Sequence, residues 1–178
     1  YLGMLIFENG KFTRLTTADG LIDNNVNSIY QDREGTIWVG TGGGLSRLTE
    51  AIITSFSTKE GLANDNVYPI FQDKAGKIWI GSWTGLTVYE NGVFQDVSQQ
   101  FGLTTDRITA IYEDRDNYLW IATWEGKLVK IKNGQVTTFP PNEQLGEHIR
   151  AIYQDRNGAM WFGTTKGLVQ LKNDIFTV

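Results

Sequence analysis

An all-β chain is predicted, a β-propeller built of four-stranded antiparallel blades. One phrase recurs with a 41-residue period, each period carries signals for four short strands, and the central strands are apolar at consecutive positions. The phrase is "QDREGTIWVGTGGGLSRL" at 31–48, "QDKAGKIWIGSWTGLTVY" from 72, "EDRDNYLWIATWEGKLVK" from 113 and "QDRNGAMWFGTTKGLVQL" from 154. Asp32, Asp73, Asp114 and Asp155 keep the 41-residue step, and so do Trp38, Trp79, Trp120 and Trp161. Gly44, Gly85, Gly126 and Gly167 follow it too, as do Val26, Val67, Ile108 and Ile149.

Each element of a period follows from its residues. The first strand, "VNSIYQD", reaches the second, "TIWVGT", through Asp32-Arg33-Glu34-Gly35, where Asp opens and Gly closes a type I turn with a bulge. The second strand does not alternate between apolar and polar, so both its faces are covered, as when small sheets stack face to face. "LSRLTE" and "AIITSFS" supply the third and fourth strands. Their turn is Thr49-Glu50 in the first unit and Asn91-Gly92 or Asn133-Gly134 later, the latter two being strong hairpin signals. No helical period is visible. The fourth linker, "VTTFPPNEQLGEHI", replaces the "GL" of Gly20-Leu21, Gly61-Leu62 and Gly102-Leu103, and its Pro140-Pro141 pair bars a central strand. Each recurring Trp is expected to wedge between blades and to bury about 150–250 Å².

The units expected are a partial blade at 1–17, then 18–58, 59–99, 100–140 and 141–178, which makes about four and a half blades and eighteen strands. The two ends duplicate rather than complement each other. A segment of a larger propeller, or a ring completed by other material, is therefore expected, with a small four-bladed ring as the alternative.

Composition bounds the function. With 178 residues, 40% hydrophobic and 20% charged, the chain can bury a core. Its net charge of -4 and lack of a Lys/Arg cluster argue against nucleic acid or an anionic membrane as partner. Cysteine is absent, which removes disulfides and thiolate metal sites. No apolar run approaches the ~18 residues of a membrane span, and residue 1 does not open a signal peptide.

The frame GL-x4-V-x2-I-x2-D-x2-G-x2-W-[IV]-G-T-x2-GL, running from Gly20-Leu21 to Gly44-Leu45 and again from Gly61 to Leu86, closely resembles the two-component regulator propeller repeat. The third unit departs, with Asn117 and Ala122 in place of glycine and Lys127 in place of leucine; Asn tolerates the left-handed backbone of the turn. Similar proteins are extracytoplasmic sensor regions of bacterial hybrid histidine kinases. The resemblance implies a non-catalytic, periplasmic or extracellular module that senses a small-molecule or oligosaccharide ligand.

Function must lie in the words that change. In a propeller, loops between second and third strands share one face with those leading into each blade's first strand. The first set reads Gly42-Gly43, Trp83-Thr84, Trp124-Glu125 and Thr165-Lys166; the second reads Asn24-Asn25, Asp65-Asn66, Asp106-Arg107 and Glu147-His148. Trp83 and Trp124 lie outside the wedge register, and aromatic faces beside polar groups make a stacking platform for a sugar. The candidate ligand-binding residues are Trp83, Trp124, Glu125, Arg107 and His148, with the two indoles expected side by side. Packing of both indoles beneath their loops is the competing reading.

Catalysis has little support. His148 is the sole histidine, so neither a His-rich metal site nor a repeated acid–base pair can be built. The turn aspartates lack the order of a calcium loop and suit capping of their own turn amides. No cofactor, metal or catalytic residue is assigned. A propeller lyase would have to draw on Glu125, Arg107, Glu147 and His148, whereas a protein-interaction scaffold would show a broad exposed patch. Self-association that completes or extends the propeller is expected from sheet faces left bare at the ends.

Overall fold

The computed structural model describes residues 2–50, 52–172 and 175–177. Tyr1, Ala51 at the head of the fourth-strand segment "AIITSFS", and Asp174 and Val178 of the closing "DIFTV" lie outside the described residues. The chain forms a two-stranded sheet and then four blades. The first sheet is β1 (Met4–Glu8) and β2 (Lys11–Leu15). Blade one is β3 (Val26–Gln31), β4 (Ile37–Thr41), β5 (Gly44–Leu48) and β6 (Ile53–Phe56). Blade two is β7 (Val67–Gln72), β8 (Ile78–Ser82), β9 (Leu86–Glu90) and β10 (Val93–Asp96). Blade three is β11 (Ile108–Glu113), β12 (Leu119–Thr123), β13 (Leu128–Lys132) and β14 (Gln135–Phe139). Blade four is β15 (Ile149–Gln154), β16 (Met160–Thr164), β17 (Gly167–Lys172) and β18 (Ile175–Thr177).

Each blade is an antiparallel meander in chain order, so every strand pairs with its sequence neighbour. One short α-helical turn, α1 (Ser98–Phe101), interrupts the all-β reading where "VSQQFG" follows β10. It ends on Gly102 in the left-handed conformation, and its buried Phe101 packs 6.2 Å from the Trp79 ring.

The recurring Asp and Trp prove to be one hydrogen-bonded unit. Asp32 accepts from the Thr36 amide with Oδ1 at 2.7 Å and from Trp38 Nε1 with Oδ2 at 2.8 Å. Asp73–Trp79, Asp114–Trp120 and Asp155–Trp161 repeat the indole bond, each at 2.8 Å. One carboxylate therefore closes the turn and satisfies the only polar atom of a core tryptophan. At Asp155 the Trp161 indole donation, with help from the Ala159 and Asn157 amides, holds the carboxyl below its ordinary value. In the third turn Asn117 takes φ 63°, where the other units place glycine. Asn91-Gly92 and Asn133-Gly134 have positive φ at both residues, the geometry of a type I′ hairpin.

Blades bury both faces against their neighbours, and the core is a series of slabs. Trp38 packs with Ile78 and Ile80 of the next blade; Trp79 with Ile108, Ile111 and Ile121; Trp120 with Met160, Phe162 and Val169. Alternate residues look backwards: Val39 joins Met4 and Leu21 in the slab against the first sheet. Trp38, Trp79 and Trp120 are 2%, 9% and 1% exposed, while Trp161, with no blade beyond it among the described residues, is only half-buried. The wedge reading follows directly.

Close approach of the blades requires a small residue two positions beyond Trp38 and Trp79, at Gly40 and Gly81. A Cβ on Gly81 would lie 2.7 Å from both Ile108 Cβ of the next blade and Pro69 Cγ of its own. Ala122 stands in that register in blade three and is fully buried. The arc does not close. The first sheet leaves Leu5, Phe7 and Phe12 exposed, and blade four leaves Tyr153, Leu168 and Ile175 exposed.

Candidate functional site

Four equivalent backbone hydrogen bonds bring the two variable loop sets together. Gly42 donates to the Asn25 carbonyl, Trp83 to Asn66, Trp124 to Arg107 and Thr165 to His148, at 2.9, 2.9, 2.8 and 3.2 Å. Each bond ties the turn between a blade's second and third strands to the residues leading into its first strand. The loops therefore share one rim.

A second device aims side chains at that rim. The ladder between first and second strands shifts register in every blade: between Val26 and Ser28, Val67 and Ile70, Ile108 and Ala110, and Ile149 and Ala151. The residues left over are Asn27, Tyr68 with Pro69, Thr109 and Arg150. A β-bulge frees a residue from the ladder and re-aims its side chain. Asn27 Nδ2 donates to the Val67 carbonyl at 2.9 Å, and Thr109 Oγ1 donates to the Ile149 carbonyl, so these two stitch one blade to the next. Tyr68 and Arg150 do neither; both face the aromatic cluster.

That cluster is centred on Arg107. Its guanidinium carbon lies 4.5 Å from the Tyr68 ring centroid and 4.6 Å from those of both Trp83 and Trp124. Guanidinium planes are attracted to aromatic faces by the ring quadrupole, more strongly where water is displaced. The two indoles occupy adjacent blades as the repeat requires, but Arg107 fills the space between them. Tyr68 reaches Trp83 at 6.2 Å. Trp124 is half-buried: the His148 imidazole stacks on it at 4.0 Å and 26°, and Arg150 lies 5.5 Å from its centroid. His148 Nδ1 is also in hydrogen-bond contact with the Trp124 carbonyl.

Trp83, by contrast, is 48% exposed. Packing beneath its own loop does not describe it. Glu125 is exposed and takes part in neither of the ion pairs found among the described residues. The structure thus brings together Trp83, Arg107, Trp124 and His148, leaves Glu125 at the margin, and adds Tyr68 and Arg150. The signal for the added pair was present in the sequence, since Asn27, Tyr68, Thr109 and Arg150 form a third variable set in the same 41-residue register.

Charges of both signs border the cluster: Arg107 and Arg150 lie against its rings, and Glu125 and Glu147 are exposed next to Trp124 and His148 in sequence. Buried Asp106, beside Arg107 in sequence, is taken by Lys127, whose Nζ lies 2.8 Å from Oδ1 and also donates to the Gly102 carbonyl at 3.1 Å. This accounts for Lys127 where leucine is expected. Arg107 Nε is buried without a partner, and no ion pair engages Arg107 or Arg150 among the described residues. Among those residues no group of three His, Asp or Glu side chains could hold a metal ion.

A sequence profile for the two component regulator propeller matches residues 20–43, 61–84, 102–125 and 144–166, more than half of the chain. No curated protein matches at a significant level. Among solved structures, the extracellular domain of a hybrid two-component system from B. thetaiotaomicron superposes on 91% of the chain with a TM-score of 0.76 and 26% identity. A second such domain from the same organism covers 86% with a TM-score of 0.75 and 26% identity. The chain spans only 24% and 22% of those two domains. Virginiamycin B lyase from Staphylococcus aureus matches 97% of this chain and 60% of its own with a TM-score of 0.73, but at 19% identity the likeness is one of fold alone.

Proposed function

We infer that this chain, which belongs to the two-component regulator propeller family, works as a non-catalytic, extracytoplasmic ligand-sensing segment of a bacterial two-component receptor and recognises a carbohydrate fragment at its loop rim. The observation that carries this reading is Trp83, a half-exposed indole supported by Tyr68 and Arg107 and set in a loop the fold leaves free to vary. A sugar ring offers C–H groups to an aromatic face and hydroxyls to neighbouring polar groups, a combination concave sites use. The extracellular placing of the similar B. thetaiotaomicron domains supports the location. The naming of those similar domains as extracellular parts of two-component systems supports the non-catalytic reading.

Trp83→Ala is expected to weaken oligosaccharide binding by about 1–3 kcal/mol, on the order of ten- to hundredfold, with an unchanged urea midpoint. Calorimetric titration against a panel of polysaccharide fragments measures it. Parent-like binding by the variant would remove the platform.

Self-association that extends the propeller has its own supporting observation in exposed apolar residues, Leu5, Phe7 and Phe12 on the first sheet and Tyr153, Leu168 and Ile175 on blade four. Apolar sheet faces of this kind attract a second sheet. Sedimentation velocity is expected to show concentration-dependent self-association that Phe7→Glu combined with Leu168→Asp reduces. A monomer at every concentration would refute it.

A further inference from the structure

We propose that the rim site selects a saccharide bearing a carboxylate, and that the end of the Arg107 guanidinium is the selecting group. This deepens the carbohydrate-sensing reading above and rests on it. Three aromatic rings lie within 4.6 Å of the Arg107 guanidinium carbon, so the group is hemmed in by aromatic surface. Nε is enclosed and has no hydrogen-bond partner. What is left is the end of the fork carrying both Nη atoms. Neither is among the enclosed unpartnered atoms, and neither donates to any described residue.

The carboxylates that could have neutralised this cation are otherwise disposed. Asp106 is held by Lys127, and Glu125 and Glu147 stand exposed without an ion pair to Arg107. Arg150, also unpaired, adds a second guanidinium over Trp124. A guanidinium held among three rings keeps the two Nη groups of its fork, whose parallel N–H donors match a carboxylate in a bidentate bond. The rings also remove rotamer freedom before the ligand arrives, so little ordering cost is left for binding. A neutral sugar would leave the positive end unpaired and partly desolvated, and would be disfavoured on that account.

The test titrates the full chain with oligosaccharides from uronate-containing polysaccharides, each beside its carboxyl-reduced counterpart. The acidic member of at least one pair is expected to bind tighter by about tenfold or more, as a charge-assisted bidentate contact gives, and its affinity should fall as salt rises. Arg107→Gln should bring the two members of that pair together. Because the comparison within the parent needs no variant, a destabilised Arg107→Gln protein would not spoil it. Equal binding of acidic and reduced members overturns the selection while leaving carbohydrate sensing in place. Binding of no acidic or neutral fragment by the parent overturns the sensing reading together with it.

Discussion

Trp120→Ala is expected to destabilise the fold by about 3–5 kcal/mol, the usual cost of truncating a buried tryptophan, and by more than Trp161→Ala. Both residues carry the same indole–carboxylate bond at 2.8 Å and differ in what lies on their far side. Trp120 touches Phe162 of the next blade at 5.8 Å and Phe139 of its own at 6.0 Å, and its removal opens a cavity in the slab between blades three and four. It also strands the buried Asp114 carboxylate without its indole donor, at a further cost of about 1–3 kcal/mol that is not strictly additive. Trp161 is half-buried, so water can enter the space it vacates and solvate Asp155. Urea denaturation of the two variants measures the difference. Equal losses would mean that the tryptophans serve their own sheets rather than the contact between sheets.

Gly81→Ala should cost about 1–3 kcal/mol through overpacking, whereas Gly163→Ala should leave stability unchanged or raise it by up to about 1 kcal/mol by restricting the unfolded chain. Neither glycine has a positive φ, so the contrast isolates packing. A methyl at 81 meets Ile108 of blade three and Pro69 of its own blade at 2.7 Å; one at 163 meets only Ala151 of its own blade, at 3.4 Å. Ala122, in the equivalent register of blade three, is fully buried, so a methyl is accommodated there. Thermal melts of both variants decide the matter, and a harmless Gly81→Ala would deny that blade spacing is set at this position.

The blades, their turns and the wedge tryptophans were legible because each depends on residue type at a fixed spacing, which a period of 41 displays four times. The bond between Asp32 and Trp38 was not. Six residues apart across a hairpin, the two recur as separate constants, and only the folded turn brings the carboxylate to the indole. The same holds for α1, whose single turn is too short to show a helical period and whose preceding Val97 gives no side-chain cap. At the rim, the sequence placed Trp83 and Trp124 in adjacent blades but could not foresee that Arg107 stands between them, because guanidinium stacking has no spacing rule. Tyr68 and Arg150 stood in a visible variable register, but where their side chains go depends on the bulges, which strict strand alternation does not foresee.

Those four bulges divide the labour of the chain between two vocabularies. Residues in the ladder answer to their neighbours, and a change there must be matched across a blade boundary. The freed residues at 27, 68, 109 and 150 answer to no partner in the strand opposite. Two of them, Asn27 and Thr109, spend that freedom as rivets on the following blade, and Tyr68 and Arg150 spend it on the rim. The same irregularity thus serves as mortar at one blade and as lettering at the next, and only the positions of the second kind can be respelled without loosening the stack.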